Sequence, residues 1–127
     1  MDVKPAVVTG VPRLLDELAY NLASNAIRYN QPGGTVTLAC GTDEEDRPYL
    51  QVIDTGIGIA PEEQPKVFER FYRVDKSRSK ARGGTGLGLA IVKHAAVFHG
   101  ASIDLASDLG LGTCITVTFP KQEVQLP

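Results

Sequence analysis

The sequence predicts a two-layer α/β sandwich, an α+β arrangement with a mixed, mostly antiparallel sheet and three helices on one face. Three observations predict it. An amphipathic helical stretch opens the chain, strand-like alternation recurs on both sides of a glycine-bearing middle, and successive strands join through short turns, as hairpins do. The 127 residues suit a single domain spanning the chain, with its core at about 10 to 120.

Residues 1–10 read as an extended lead, Lys4-Pro5-Ala6-Val7-Val8-Thr9. Pro12 sits where a helix starts, because its missing N–H costs nothing there. The helix is expected over about 12 to 30 and is stopped by Gln31-Pro32-Gly33-Gly34. Thr35 to Gly41 alternates as a strand, and Tyr49 to Asp54 returns beside it. Asp43-Glu44-Glu45-Asp46 between them is a solvated hairpin tip, not a metal site. Gly56 and Gly58 break the chain, and Pro61-Glu62-Glu63 is expected to open a short helix whose first turn carries the acidic residues its dipole prefers. Phe68-Glu69-Arg70-Phe71-Tyr72-Arg73 follows, then a polar stretch to residue 83 without apolar periodicity, read as a mobile loop. The last helix opens at Gly84 to Leu89 and runs to about 98. Leu87, Leu89, Ile91, Val92, Ala95 and Phe98 make it apolar nearly all round, so it is expected to be largely buried. Ser102–Ser107 and Cys114–Phe119 close the sheet through Asp108-Leu109-Gly110-Leu111-Gly112, and a tail begins at Pro120.

Hydrophobic residues make up 43% and the formal net charge is −2, so no global excess of positive charge points to nucleic acid or an anionic membrane. Cys40 and Cys114 lie in apolar, β-branched surroundings and read as buried free thiols in strands, not as a disulfide. No apolar run approaches the ~20 residues of a membrane span, and no signal-peptide pattern precedes Arg13. A free-standing enzyme fits this, as does a cytoplasmic module of a membrane protein; the abrupt Met1-Asp2-Val3 start leans toward the excised module.

On the first helix, Leu15, Leu18, Leu22, Ala26 and Tyr29 share one face. Glu17, Asn21, Asn25 and Arg28 form a polar stripe that borders this face instead of opposing it. Two readings fit the asparagines: hydrogen bonds along one helix, or a carbonyl oxygen facing a cleft and holding Mg²⁺, which takes few protein ligands beside phosphate and water. In the second reading Arg28 and Tyr29 lie near phosphates or ribose. Asp54-Thr55-Gly56-Ile57-Gly58-Ile59 ends a strand with a carboxylate able to accept from the exocyclic amine of adenine, while the glycines let a planar ring approach; a plain Asx turn is the alternative. Gly83-Gly84-Thr85-Gly86-Leu87-Gly88-Leu89 leads into a helix, where free N–H groups and the dipole favour phosphate; a flexible hinge is the alternative. It is neither the dinucleotide fingerprint nor a P-loop. Arg70, Arg73, Lys76, Arg78, Lys80 and Arg82 between the turns read either as a solvated loop or as a lid over polyphosphate, with Phe68 and Phe71 anchoring it in the core.

The order Asn21-x-x-x-Asn25-Ala26-x-Arg28-Tyr29, Asp54-x-Gly56-x-Gly58, Phe68-x-x-Phe71-Tyr72-Arg73 and Gly84-x-Gly86-x-Gly88 resembles the sensor histidine kinases of bacterial two-component systems. These are the N, G1, F and G2 boxes of that family's ATP-binding catalytic domain, and the resemblance covers roughly residues 10 to 120. The wording of the N and F boxes is similar to the phosphate-sensing type. The resemblance implies the Bergerat fold, shared with gyrase-type ATPases and Hsp90, and it implies ATP and Mg²⁺. Asn25 would be the principal Mg²⁺ ligand with Asn21 beside it, and Asp54 would read the adenine amine. Gly56, Gly58 and Ile59 would shape the adenine pocket, and Thr113 would hold a water against the base. Gly84, Thr85, Gly86, Leu87 and Gly88 would pass close to the phosphates, with Arg73 and Arg28 meeting their charge. Hydrolytic relatives carry a glutamate base where this chain has Asn21, and an amide cannot take the proton of an attacking water, so the site resembles one built for transfer, with Glu17 one turn away as the alternative base. Asn21, Asn25 and Arg73 would carry the catalysis.

The family's phosphoacceptor histidine lies on a separate dimerisation helix, and His94 and His99 both fit structural positions of the catalytic domain instead. The implied partners are that dimerisation domain and a downstream response regulator, with no nucleic acid, no direct membrane contact and a monomeric isolated domain. The implied setting is the cytosolic side of a membrane receptor. The rivals are a serine kinase of anti-sigma type, which the long Phe68–Arg73 box argues against, an ATPase clamp, which Asn21 argues against, and a regulatory module without turnover, which the intact Asn25, Asp54 and glycines argue against.

Overall fold

The computed structural model describes residues 2, 3, 8, 10–69 and 88–121. The described elements run β1 (Asp2–Val3), α1 (Pro12–Arg28), β2 (Val36–Thr42), β3 (Pro48–Asp54), a 3₁₀ turn (Gln64–Lys66), α2 (Gly88–Phe98), β4 (Ser102–Asp108) and β5 (Gly112–Thr118). The five strands form one sheet in the order β1-β2-β3-β5-β4. β1 lies parallel to β2, and the remaining pairs are antiparallel. The expected mixed, mostly antiparallel sheet is therefore found.

Period-two alternation decides which face the helices cover. Val52 of β3, Ile115 and Val117 of β5 and the following Phe119 point to one side and are buried. Leu18, Leu22 and Ala26 of α1 and Val92, Ala95 and Ala96 of α2 close over them in one core, with Leu38, Leu50, Ile103 and Leu105 packed at its edge. Among the described residues, Leu18, Leu22, Val92 and Val117 are the largest side chains almost wholly removed from solvent. Each such burial is worth about 1.5–3 kcal/mol, which outweighs the weak end-capping of α1, where Val11 supplies no side-chain cap. His99 closes that end from outside. Its Nδ1 meets the Ala95 carbonyl at 2.7 Å, its Nε2 accepts the Val11 N–H at 3.0 Å, and its ring stands edge-on to Phe98 and Phe119. The expectation of a structural His99 is consistent with this.

Three expectations need correction. α2 is not buried all round: Val97 is 67% and Phe98 61% exposed, and His94 is exposed too, because only the Val92, Ala95 and Ala96 face meets α1 and the sheet. Pro61-Glu62-Glu63 opens no α-helix; the chain makes turns and a single 3₁₀ turn, since a segment this short cannot offset helix nucleation with an apolar face. Cys40 and Cys114 are free and lie in strands, but both are half-buried instead of buried. The acidic tip Asp43–Asp46 is a hairpin turn, in which Asp43 accepts the N–H groups of Glu45 and Arg47 and pairs with the Arg47 guanidinium at 3.0 Å. Among the described residues, no helix is long and apolar enough to cross a membrane.

Candidate functional site

Asp54 ends β3 on the helix-facing side of the sheet, half-buried, where the ladder register sets it opposite Thr113 of β5. Its Oδ1 accepts the Gly56 N–H at 2.9 Å, and the backbone N–H of Thr113 lies near the carboxylate. Burial pushes the Asp54 carboxyl above the ordinary carboxylate value, and these two N–H groups recover part of the shift. The result is a held carboxylate at a sheet end with acceptor capacity left over.

The turn after Asp54 is fixed from two sides. On one side, the Tyr29 carbonyl at the end of α1 accepts the Ile57 N–H at 3.3 Å. A Cβ on Gly56 would stand 2.5 Å from that same carbonyl and 2.9 Å from Asp54 Oδ1, so only glycine lets the turn pass. On the other side, Gly110 of the β4–β5 turn donates to the Ile57 carbonyl at 2.8 Å. Gly58 takes φ +72° against the Asp108 carbonyl, a left-handed conformation with no room for a side chain. Ile59 is buried behind it. Tyr29 therefore serves the turn through its backbone.

Sequence reading missed two residues that complete this clamp. Ser107 Oγ accepts the Ile59 N–H at 2.7 Å and lies 2.9 Å from both the Gly112 carbonyl and Thr113 Oγ1. Gln64 Nε2 donates to the Ile59 carbonyl at 2.9 Å and the Ser107 carbonyl at 3.2 Å. The available signal was a hydroxyl continuing the inward positions Ile103 and Leu105, since a polar group on an apolar stripe must find partners.

Asn21 and Asn25 both lie half-buried on the α1 stripe. Asn21 Nδ2 donates to the Glu17 carbonyl at 2.7 Å, which commits its N–H side and leaves Oδ1 as the outward acceptor. That oxygen faces the start of α2, where a Cβ on Gly88 would come within 3.3 Å of it. The expected hydrogen bond along one helix is present at Asn21, and it orients the remaining oxygen. Among the described residues, no three His, Cys, Asp or Glu side chains gather. The neutral Asn21 amide oxygen beside the start of α2 is a donor that fits Mg²⁺ arriving with phosphate oxygens and water.

Arg28, the last residue of α1, lines an open groove with Asn30, Gln31 and Val36, and that groove does not include Asp54 or Thr113. Phe68 is half-buried against the core, as expected of an anchor. Arg73, Gly84, Thr85, Gly86 and Leu87, with Arg70, Phe71 and the cations that follow, lie outside the described residues.

Residues 10–123 match the family described as histidine kinase-, DNA gyrase B-, and HSP90-like ATPase. The chain is 45% identical over 109 residues to the sensor protein SrrB of Staphylococcus aureus, a stretch that is 86% of this chain and 18% of that relative. It therefore spans under a fifth of the length of the curated relatives it matches. Among solved structures it is similar to the mycobacterial sensor histidine kinase MprB, with a TM-score of 0.84 and 33% identity over 97% of this chain and 82% of that one. It is also similar to full-length ShkA, solved in complex with AMPPNP, with a TM-score of 0.71 and 29% identity over 94% of this chain and 25% of that one.

Proposed function

For a chain that belongs to the histidine kinase-, DNA gyrase B-, and HSP90-like ATPase family, we propose the role of ATP-binding catalytic unit of a longer sensor histidine kinase. The single domain binds MgATP and transfers the γ-phosphoryl to a histidine on a separate dimerisation domain. The observation that carries this reading is Asn21. Its N–H side is tied to Glu17, its neutral oxygen faces the first turn of α2, and no carboxylate stands at that position to deprotonate a water. The similarity to SrrB and MprB supports the same reading.

Asp54 accepts the adenine amine, Gly56, Gly58 and Ile59 shape the wall beside the base, and Thr113 holds a water against it from the neighbouring strand. Asn25 with Asn21 would hold the magnesium ion, which supplies charge neutralisation at the phosphates when bound with the nucleotide. The glycine segment Gly84, Thr85, Gly86, Leu87 and Gly88 holds the phosphates through its N–H groups, and Arg73 and Arg28 add positive charge. In the transfer, an imidazole nitrogen of the acceptor bonds to the γ-phosphorus while the bond to the β,γ-bridging oxygen breaks, and ADP leaves with that electron pair. Positioning and charge stabilisation do most of the catalysis. The phosphohistidine then supplies an aspartate of a response regulator. The isolated unit is a monomer on the cytosolic side.

The test combines the purified chain with the histidine-bearing helical domain of its own parent protein and γ-labelled ATP. Acid-labile, base-stable label on the helical domain is expected, and Asn25→Ala should remove the Mg²⁺-dependent part of ATP binding measured by calorimetry. Release of inorganic phosphate without the acceptor at the rate of transfer would point to a hydrolase instead. A folded wild type that binds no ATP at millimolar concentration would end the reading.

A further inference from the structure

Ile59 is held by side chains at both ends of its backbone. Its N–H donates to Ser107 Oγ at 2.7 Å, and its carbonyl accepts from Gln64 Nε2 at 2.9 Å. Ile57 is tied differently, through backbone groups of Tyr29 and Gly110 that a side-chain substitution leaves in place. Gln64 reaches Ile59 because the chain turns back after Ala60. The Glu63 N–H donates to the Ala60 carbonyl at 2.9 Å, and Gln64 opens the 3₁₀ turn that follows. The same Gln64 nitrogen donates to the Ser107 carbonyl at 3.2 Å. Both partners are carbonyl oxygens, so the amide must present its NH₂ group to them, and both hydrogens of that group are used. One side chain thus ties the turn after Asp54 to the end of β4 and to the segment that leads into buried Val67 and half-buried Phe68.

We infer that Gln64 is a positioning residue for nucleotide binding: it holds the Gly56–Ile59 turn in its binding shape before the nucleotide arrives. This rests on the proposed reading that the turn forms the wall beside the base. Gln64 itself need touch no nucleotide. A wall already in place needs no ordering when the ligand binds, whereas a loosened wall must be ordered in the same step, which lowers affinity. Ser107 does not isolate this effect, because its hydroxyl also meets the Gly112 carbonyl and Thr113 Oγ1. Among the described residues, the Gln64 amide bonds only to the turn and to β4. Loss of its hydrogens therefore frees the Ile59 carbonyl and leaves the Gly56–Asp54 and Asn21–Glu17 bonds in place.

The experiment titrates ATP by calorimetry, with and without Mg²⁺, into wild type, Gln64→Met and Gln64→Glu. Methionine keeps the length of the side chain without a hydrogen to donate, and ionised glutamate sets oxygen against the two carbonyls. Kd should rise about three- to tenfold in Gln64→Met, the worth of a lost hydrogen bond, at unchanged stoichiometry, and at least as much in Gln64→Glu. The factor should be the same with and without Mg²⁺, because the turn lies at the base end. In phosphotransfer to the histidine-bearing domain of the parent protein, KM for ATP should rise by the same factor while kcat at saturating ATP holds within about twofold. A variant that is merely less folded gives the opposite split: fewer sites and a lower kcat at unchanged Kd and KM. That split, a Kd within about twofold of wild type, or a loss seen only with Mg²⁺ would each overturn the inference. If Gln64→Met does not fold, Gln64→Glu decides by the same split. Wild type that binds no ATP fails the proposed function itself, whereas wild type that binds ATP while folded Gln64→Met matches it fails this inference alone.

Discussion

Asp54→Asn removes one charge and changes one acceptor into a donor, without altering the size of the side chain. In the folded protein, Oδ1 of Asp54 accepts the Gly56 N–H at 2.9 Å, and the Thr113 N–H lies near the carboxylate. An amide has one oxygen for these two donors. If it stays on Gly56, the new NH₂ group faces the Thr113 amide and the adenine amine, donor against donor. Losing a hydrogen bond to a charged acceptor costs about 1.5–3 kcal/mol, which at about 1.4 kcal/mol per tenfold predicts ATP affinity lower by about ten- to a hundredfold. Calorimetric titration of ATP, with and without Mg²⁺, is the assay, and the loss should be the same in both. The pH dependence has two opposite signs. Burial holds the folded Asp54 carboxyl above its ordinary value of 3.8, so the folded state binds its proton more tightly than the unfolded chain. Without nucleotide, no penalty exists below 3.8, and stability falls as pH rises from there through the folded value, above which the penalty is complete. ATP affinity should instead rise through that window as the carboxylate ionises. Denaturant melts and titrations across it should show both slopes in wild type and neither in Asp54→Asn. An Asp54→Asn protein that binds ATP within threefold of wild type would refute the assignment.

Two further predictions concern the frame around the site. Gly58→Ala places a Cβ at φ +72° against the Asp108 carbonyl, so stability should fall by about 2 kcal/mol or more from backbone strain and displacement of the β4–β5 turn. A change under about 0.5 kcal/mol in urea denaturation would contradict the described turn. Leu22 is 1% exposed and Phe98 is 61% exposed. Leu22→Ala should therefore cost about 2–5 kcal/mol, and Phe98→Ser about 1 kcal/mol or less; comparable losses would mean that α2 is covered on both faces.

Local pattern and overall geometry contributed differently. The stripe of Leu18, Leu22 and Ala26 bordered by Asn21 and Asn25 was legible because a helix repeats its faces every few residues along one segment. The strands at Val36–Thr42 and Pro48–Asp54 were legible from period-two alternation and the acidic turn between them. The order of the boxes carried the family and, through the resemblance, the proposed roles of Asp54, Asn25 and Thr113. The exposure of α2 was not legible, because composition along a helix counts apolar residues without knowing which face a neighbour occupies; Val97 and Phe98 lie on the uncovered side. Nor was the missing helix after Pro61, since a few residues with helix-start chemistry do not disclose whether an apolar face has anything to pack against.

By itself, then, the sequence determined the two layers, the hairpin strand pairs and the polar stripe, all of which depend on neighbours in the chain. Only the tertiary structure decided that β5 inserts between β3 and β4 and so sets Thr113 between Asp54 and Ser107, residues 53 positions apart at the ends of that row. Hydrogen-bond polarity across such a row depends on which atoms share which proton, and those atoms become neighbours only when three strands are in register.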